Sequence, residues 1–269
     1  MLALAVPIGL LIGLSLGALG GGGSILTVPA LVYVLGQTPV AATTGSLIIV
    51  GITSLAGMVA HARAGRVRVA RGLLFGVLGV AGSWYGSKLS ATVAPAVLLA
   101  AFSVLMLVVA AVMIARQRQG RRGGALQDEA YDPILAFTPR FVCNCPRAAK
   151  VAVTATAVGL LTGFFGVGGG FAVVPALVLA LGFTMPVAVG TSLLVIALNS
   201  ATALASRAGH GISIDWAVIG PFTAAAVLGS LLGGRVASRV RPEALSRAFT
   251  VLLVVVALYT AARSIPQLL

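Results

Sequence analysis

Hydrophobic residues occupy most of the chain in long runs, and short polar stretches separate these runs. Eight apolar runs can be traced, at residues 2–35, 40–60, 70–89, 95–115, 151–181, 186–206, 214–236 and 242–262. Apolar stretches of about 18 residues or more are long enough to cross a bilayer as helices. The pattern therefore predicts an all-α, polytopic membrane protein.

The first and fifth runs differ from the others because glycine clusters interrupt them. The first run has 34 residues and would span roughly 51 Å as one helix. That length exceeds one crossing of a ~30 Å hydrocarbon core and is short for two. A hairpin of two short helices, or a crossing with an unwound centre, fits such a segment.

The second half of the chain repeats the first at a constant offset of 146 residues. The stretch GLSLGALGGGGSILTVPAL, from Gly13, matches GLLTGFFGVGGGFAVVPAL, from Gly159, and the alignment continues through Ser54 and Ser200. The repeat predicts a first transmembrane unit over residues 1–115, a linker over 116–150 and a second unit over 151–269. Each unit combines the Gly-broken helix or short hairpin with three transmembrane helices.

Lysine and arginine are concentrated in particular loops, which indicates the orientation of the halves. Three stretches are rich in basic residues. The loop after the second run holds Arg63, Arg66, Arg68 and Arg71, and the linker holds seven basic residues. The loop after the seventh run holds Arg235, Arg239, Arg241 and Arg247. The competing stretches carry only Lys88, Arg207 and Arg263. We therefore expect a cytoplasmic linker and an inverted repeat with a pseudo-two-fold axis in the membrane plane. A parallel repeat with four crossings in each half is the alternative.

The composition agrees with a membrane protein and changes how the net charge is interpreted. The chain is 59% hydrophobic and 9% charged, with a formal net charge of +13, whereas soluble domains carry about 25% charged residues. The arginines lie between apolar runs, as topology requires, and do not form a basic helix face. We therefore predict the lipid bilayer as a partner and no nucleic acid.

The glycine clusters are the first candidate binding site. Glycine lets the backbone leave a helix and approach a ligand, and freed amides at a helix start attract anions. The predicted lining residues are Gly20, Gly21, Gly22, Gly23, Ser24, Gly166, Gly168, Gly169 and Gly170. Ser24 is also expected to cap the helix that starts there. The preceding Gly13, Gly17, Gly159 and Gly163 have the four-residue spacing of close helix packing.

A polar stripe on the second run is the second candidate. Ser46, Thr53, Gly57 and His61 share one helical face, and the repeat places Ser192, Asn199, Ala203 and Arg207 at the equivalent positions. With Thr44 and Thr191, the hydroxyls and the amide can hydrogen-bond an oxyanion. Alternatively, the hydroxyls bond to carbonyls of their own helix. His61 and Arg207 are candidates for proton coupling or gating, although anchoring at the interface is the ordinary role of such residues at helix ends.

Acidic residues are missing from the middle of every run, which bears on the class of substrate. Asp215 and Glu243 stand at the starts of the seventh and eighth runs. A carboxylate at membrane depth would mark a cation path or proton relay, so the distribution favours an anionic substrate. Cys143 and Cys145 are interpreted as reduced loop cysteines, with sulfur chemistry as the alternative. We predict no catalytic residues, no metal and no cofactor.

The duplicated glycine cluster followed by VPAL, with a Thr/Ser-rich helix after each copy, resembles the TauE/SafE family of sulfite and organosulfonate transporters. The resemblance covers nearly the whole chain apart from the linker. It implies a secondary transporter, not an enzyme, that exports small sulfur-containing anions across a prokaryotic inner membrane. A passive anion channel and a membrane-embedded sulfur-handling protein that uses the two cysteines are the alternatives. Ser24 stands where the second copy has Gly170, so the two halves need not contribute equally.

Overall fold

The computed structural model describes residues 2–90, 93, 95–122, 135–136, 142–143, 145–165, 170–207 and 214–264. Its helices are α1 (Leu2–Leu19), α2 (Gly22–Pro29), α3 (Pro39–Arg63), α4 (Val69–Ser90), α5 (Pro95–Arg122), α6 (Cys145–Phe165), α7 (Gly170–Leu181), α8 (Met185–Arg207), α9 (Trp216–Arg239) and α10 (Pro242–Ser264). Two short strands, β1 (Leu135–Ala136) and β2 (Val142–Cys143), pair between α5 and α6. Helices α5 and α6 thus extend into both ends of the predicted linker.

The broken first run folds as a helical hairpin, one of the two arrangements predicted for it. Helix α1 ends where Gly20 adopts a left-handed φ of 71°, a conformation that glycine accepts without strain. Helix α2 then packs back along α1, so closely that a Cβ on Gly23 would lie 2.6 Å from the Cβ of Leu16. A π-helical turn (Ala30–Val34) follows Pro29 and returns the chain to the start of α1, where Leu31 and Ala5 share one apolar cluster.

In each half, the first helix packs on a helix of the other half. Helix α1 of the first half packs along α9 of the second, and α6 of the second packs along α4 of the first. Gly13 and Gly17 meet the backbone of Ala226 and Ser230, and their counterparts Gly159 and Gly163 meet the backbone of Gly79 and Ser83. The prediction that these four glycines mediate close helix packing is confirmed.

We expect Gly17→Ala to destabilise the protein because its Cβ would overlap the carbonyl group of Ser230. Overpacking of this kind costs about 1–3 kcal/mol, and backbone atoms cannot rotate away. Thermal unfolding in detergent should therefore show a lowered midpoint. Gly220→Ala is the control, since a Cβ there meets nothing within 4 Å. Equal midpoints for the two variants would contradict the close packing of α1 on α9.

Helices α3 and α8, equivalent members of the two halves, form an antiparallel pair at the centre. Arg207 at the end of α8 reaches Thr43 near the start of α3. A Cβ on Gly51 would lie 3.3 Å from the Cβ of Ser200, and a Cβ on Gly190 would lie 3.1 Å from the Cβ of His61. The two helices therefore pack closely both at their middle and at the end where α8 begins.

The arginine-rich loops lie together at one end of the helix bundle. The loop from α3 to α4 lies beside the start of α8, where the Arg68 amide donates to Thr191 Oγ1 over 3.1 Å. The end of α9 lies at the same place, since a Cβ on Gly234 would lie 3.6 Å from His61 Nε2. Arg207 marks the opposite end. The acidic residues start helices as predicted: Asp215 Oδ1 accepts from the Ala217 amide as the N-cap of α9, and Glu243 lies in the first turn of α10.

Within the described part of the chain, four helices are long and apolar enough to cross a membrane, at Ala41–Arg63, Met185–Ala205, Trp216–Arg239 and Pro242–Ala262. Shorter apolar helices accompany them, at Leu4–Leu19, Gly22–Val34, Ala101–Ala115 and Val151–Phe165. Large apolar side chains such as Val77, Leu228 and Leu258 stay exposed on the outside of the bundle. This distribution agrees with the predicted all-α, polytopic membrane protein.

Candidate functional site

Near the middle of the α3/α8 pair lie four buried polar side chains, each with an oxygen atom that has no hydrogen-bond partner among the described residues. Thr53 and Ser54 lie on α3, and the equivalent residues Asn199 and Ser200 lie on α8. Each is at most 2% exposed. Thr53 Oγ1, Ser54 Oγ, Asn199 Oδ1 and Ser200 Oγ find no partner in the described part of the chain. We call these four residues, two near the middle of each helix, the central polar cluster.

Unpartnered hydroxyls distinguish this cluster from many other helical hydroxyls in the described part of the chain. Nine serine and threonine side chains donate to a carbonyl three or four residues earlier in their own helix, namely Thr27, Ser46, Thr162, Ser192, Thr202, Thr223, Ser238, Thr250 and Thr260. Leaving a buried polar group unpaired costs about 1–3 kcal/mol. Three such hydroxyls near the middle of one helix pair are therefore candidate ligand-binding groups.

The surroundings of the central polar cluster come from both halves. Ser230 Oγ of α9 donates to the Thr53 carbonyl over 3.3 Å. On the other side, Asn199 faces α4, where a Cβ on Gly79 would lie 3.8 Å from its Oδ1. An apolar cluster closes the neighbouring space between α1, α3 and α8, formed by Leu16, Val50, Leu193 and Ile196. The cluster is therefore shielded from water by tightly packed helices.

The first glycine break (Gly20–Gly23) approaches Gly170, the last residue of the second break, beside α8. A Cβ on Gly170 would lie 2.6 Å from the Gly21 Cα and 2.7 Å from Ser24 Oγ. A Cβ on Gly20 would lie 2.6 Å from Ser192 Oγ. The first break thus contacts the second half directly. The other predicted residues of the second break, Gly166, Gly168 and Gly169, lie outside the described residues.

The remaining residues of the first break pack within the bundle. Gly22 lies against Leu252 of α10, and Gly23 lies against α1. The expectation that Ser24 caps α2 is wrong: the helix begins at Gly22 without a side-chain cap, and Ser24 Oγ donates to the Gly21 carbonyl over 2.8 Å. The glycine-rich turn brings a carbonyl within reach of this hydroxyl, so the side chain bonds backward.

The polar stripes divide into two groups. Thr53 and Asn199 belong to the central polar cluster, whereas Ser46 and Ser192 donate to the carbonyls of Thr43 and Val189 over 2.8 Å. The alternative role of intrahelical bonding thus applies to that second pair. Thr191 accepts from the Arg68 amide at the arginine-rich end.

His61 and Arg207 lie at opposite ends of the α3/α8 pair. His61 is buried, and its Nε2 donates to the Gly17 carbonyl over 2.8 Å, which satisfies one of the free carbonyls at the end of α1. Burial of this kind does not fit an interfacial anchor. Arg207 Nη1 donates to Thr43 Oγ1 and Thr44 Oγ1 over 3.0 and 3.2 Å, linking the halves at the other end.

Sequence reasoning aligned Ser54 with Ser200 but did not assign them to the site. Each directly follows a residue of a predicted stripe, Thr53 or Asn199. The signal that could have found them is the recurrence of two adjacent polar residues at equivalent positions in both halves. The side chains of Cys143 and Cys145 lie outside the described set. Among the described residues, no three His, Cys, Asp or Glu side chains are grouped to hold a metal ion.

Comparisons with known proteins agree with this architecture. A family model described as "Sulfite exporter TauE/SafE" matches residues 5–260. A "Probable membrane transporter protein" of Xylella fastidiosa is 32% identical over 98% of this chain and 96% of its own length. The "Probable membrane transporter protein YunE" of Bacillus subtilis is 28% identical over 87% of this chain and 86% of its own. No solved structure matches the chain.

Proposed function

Because the chain belongs to the sulfite exporter TauE/SafE family, we propose that this multi-pass membrane transporter exports small sulfur-containing anions such as sulfite or organosulfonates. The observation that supports a specific site is the central polar cluster. Its three hydroxyls are buried near the middle of two long apolar helices and have no hydrogen-bond partner in the described chain. Serine, threonine and asparagine side chains in membrane helices ordinarily hydrogen-bond across helices, so buried hydroxyls without such a bond support a ligand-binding role.

The anion would be held by hydrogen bonds and not by a fixed opposite charge. Thr53, Ser54 and Ser200 can each donate one hydrogen bond, and Asn199 can donate through its amide nitrogen. Hydrogen bonds to a charged partner contribute about 1.5–3 kcal/mol each. The glycine breaks at Gly20–Gly21 and Gly170 would let backbone amides approach from the side. Together these groups would replace part of the hydration shell of an oxyanion.

The two halves would form an inverted repeat and support alternating access. The antiparallel packing of α3 on α8 supports this arrangement, because equivalent helices run in opposite directions only if the axis that relates them is perpendicular to the helices. A site at the repeat interface, near the bilayer midplane, is typical of such transporters. Rocking of one half against the other would expose the central polar cluster to each side in turn.

The arginine-rich end would face the cytoplasm of a prokaryotic cell, with the protein in the inner membrane and the linker 116–150 on the cytoplasmic side. The gathering of the α3–α4 and α9–α10 loops at one end supports this orientation. His61 lies near that end, and it would couple export to the proton gradient if movement of the two halves exposed its buried ring to the cytoplasm. Arg207 would close the outer end through Thr43 and Thr44.

Uptake of radiolabelled sulfite into proteoliposomes of the purified full-length chain tests the proposal. We expect sulfite flux above that of protein-free liposomes, and we expect an imposed pH gradient to increase it. Flux that follows voltage alone and ignores the pH gradient would identify a passive channel. If neither sulfite nor any small organosulfonate is carried, the proposed substrate class is wrong.

A further inference from the structure

The arginine-rich end of the bundle holds a guanidinium that the proposed function does not use. Arg66 Nη1 is buried and has no hydrogen-bond partner among the described residues. The side chains of Arg63 and Arg68, in the same connection between α3 and α4, are exposed. Exposed arginines in a short loop are enough to set membrane orientation. The buried nitrogen of Arg66 needs another explanation, because withholding a charged donor from water without a partner is costly.

The backbone at the end of α3 fixes where Arg66 lies. Gly65 has a left-handed φ of 70°, and the amides of Gly65 and Arg66 donate to the carbonyls of Ala62 and His61 over 2.9 and 3.0 Å. This pair of bonds is a Schellman motif, which turns the chain back at a helix end. The Arg66 carbonyl then lies against α8, since a Cβ on Gly190 would be 2.7 Å from it. Arg66 is therefore held at the end of the α3/α8 pair where α8 begins.

A cavity of about 530 Å³ lies directly after Arg66, and the five residues that follow Arg66 line it. Small-molecule sites typically have volumes of about 300–1,000 Å³. Two of the lining residues are anchored to the second half. The Arg68 amide donates to Thr191 Oγ1 over 3.1 Å, and the guanidinium carbon of Arg71 lies 5.7 Å from the centre of the Phe183 ring. Three arginines of one connection thus adjoin a space that is large enough for a small ligand.

Carboxylates do not offset this positive charge in the described part of the chain. Its acidic residues are Asp215 and Glu243. Asp215 caps α9 at the opposite end of the bundle, and Glu243 is exposed in the first turn of α10. The arginine-rich end therefore keeps a net positive charge around the cavity.

The second half has no equivalent of this arginine cluster. The offset of 146 residues places apolar residues at the positions equivalent to Arg66, Arg68 and Arg71, namely Ile212, Ile214 and Ala217. The cluster is therefore not a structural requirement of the repeated fold, and it belongs to one side of the membrane only.

From these observations we propose that Arg66, with Arg68 and Arg71, forms a capture site for a small oxyanion, separate from the central polar cluster. A planar guanidinium can donate two parallel hydrogen bonds to two oxygens of one anion. Gly190, which marks the level of Arg66, lies nine residues from Asn199, or about 13 Å along the helix axis. Binding at this site stands on the geometry alone, whereas its role in loading the central polar cluster rests on the proposed function.

Two anions at this membrane face offer the chemistry that the capture site recognises. One is the transported sulfur oxyanion, and the other is the phosphate of an anionic lipid headgroup, which basic residues near the membrane surface also attract. Both present several oxygens that can accept from a guanidinium.

Equilibrium dialysis of radiolabelled sulfite and of inorganic phosphate against the detergent-purified full-length chain tests the capture site. Arg66→Gln should weaken binding of both anions at least about tenfold, which corresponds to the loss of one charge-assisted hydrogen bond. Arg66→Lys should recover part of the affinity because it restores the charge. Arg63→Gln is the matched control, since the Arg63 side chain is exposed, and it should bind like the unmodified protein. Unchanged binding in Arg66→Gln, equal losses in Arg66→Gln and Arg63→Gln, or no binding of either anion to the unmodified protein would overturn the proposal.

Thermal unfolding of the same preparations separates a binding role from a structural one. Arg66→Gln should leave the midpoint unchanged or raise it, because it removes a buried charge that has no partner. A lowered midpoint together with unchanged anion affinity would show that the guanidinium stabilises the fold and would overturn the capture site.

Repeating the sulfite measurement in nanodiscs distinguishes the two sources of the anion. Equal sulfite affinity in zwitterionic phosphatidylcholine and in a mixture with anionic phosphatidylglycerol would assign the site to the free anion. If phosphatidylglycerol weakens sulfite binding to the unmodified protein but not to Arg66→Gln, the headgroup phosphate occupies the site. That result would support the oxyanion site and overturn its role in capturing the substrate.

Equilibrium exchange of radiolabelled sulfite across proteoliposomes connects the capture site to transport. With equal sulfite concentrations on both sides, the orientation of the protein does not affect the result. Arg66→Gln should raise the KM at least about tenfold and leave kcat nearly unchanged, because it removes binding that precedes the transport step. A lowered kcat with an unchanged KM would overturn the role in capture. Absence of exchange in the unmodified protein, with Arg66-dependent binding intact, would instead remove the proposed function and leave the anion site in place.

Discussion

Replacing Thr53 by valine should reduce sulfite transport by at least about tenfold while leaving the protein as stable as before, or more stable. Valine has nearly the same shape as threonine but lacks the hydroxyl. The transported anion loses a charge-assisted hydrogen bond of about 1.5–3 kcal/mol. The folded protein loses nothing, because Thr53 Oγ1 has no partner in the described chain. Proteoliposome flux and thermal unfolding in detergent, measured on the same preparation, test the two effects.

Thr202→Val is the matched control on α8. Thr202 lies three residues beyond Asn199, and its hydroxyl donates to the Leu198 carbonyl over 2.9 Å. Its removal should lower the unfolding midpoint slightly and leave transport nearly unchanged. The opposite signs for Thr53→Val and Thr202→Val separate a ligand-binding hydroxyl from a structural one. If Thr53→Val transported sulfite as well as Thr202→Val does, the central polar cluster would not be the substrate site.

The helices, and the equivalence of each helix in the first half to one in the second, could be predicted because both depend on patterns that the sequence displays directly. Apolar runs give the membrane helices, and α3, α8 and α10 begin and end within three residues of the predicted bounds. The four-residue spacing of Gly13 and Gly17 identified a packing face, because a missing Cβ has one obvious use inside a helix bundle. The sequence did not predict that this face packs on α9, because a small residue has no preference among possible partner helices.

The division of the polar stripe could not be predicted for a related reason. Ser46 and Thr53 lie on one face of α3, yet Ser46 bonds to its own helix and Thr53 does not. The choice depends on the side-chain rotamer, and the rotamer depends on the neighbouring helix. Similarly, His61 has the sequence position of an interfacial anchor, but the end of α1 covers it and supplies the Gly17 carbonyl as a partner. Tertiary contacts decided both cases.

Gly20→Ala should abolish transport, because this position combines two demands that only glycine meets. Its φ of 71° is left-handed, which costs a residue with a Cβ about 1–2 kcal/mol. In addition, the new Cβ would lie 2.6 Å from Ser192 Oγ and 3.0 Å from Val174 Cγ2. The substitution would therefore push the first break away from α7 and α8, beside which the second break and the central polar cluster lie.

Two further variants separate these effects. Gly65 has nearly the same φ, 70°, but a Cβ there meets nothing within 4 Å. Gly65→Ala should therefore bear only the cost of the left-handed backbone and retain transport.

Ser192→Ala removes the oxygen that the new Cβ of Gly20→Ala would overlap, at the loss of one hydrogen bond to the Val189 carbonyl. The double variant Gly20→Ala, Ser192→Ala should therefore recover part of both the unfolding midpoint and the flux. Rescue of stability without any rescue of flux would mean that the break must stay flexible as well as closely packed. If Gly20→Ala alone transported like Gly65→Ala, the contact between the first break and the second half would have no part in transport.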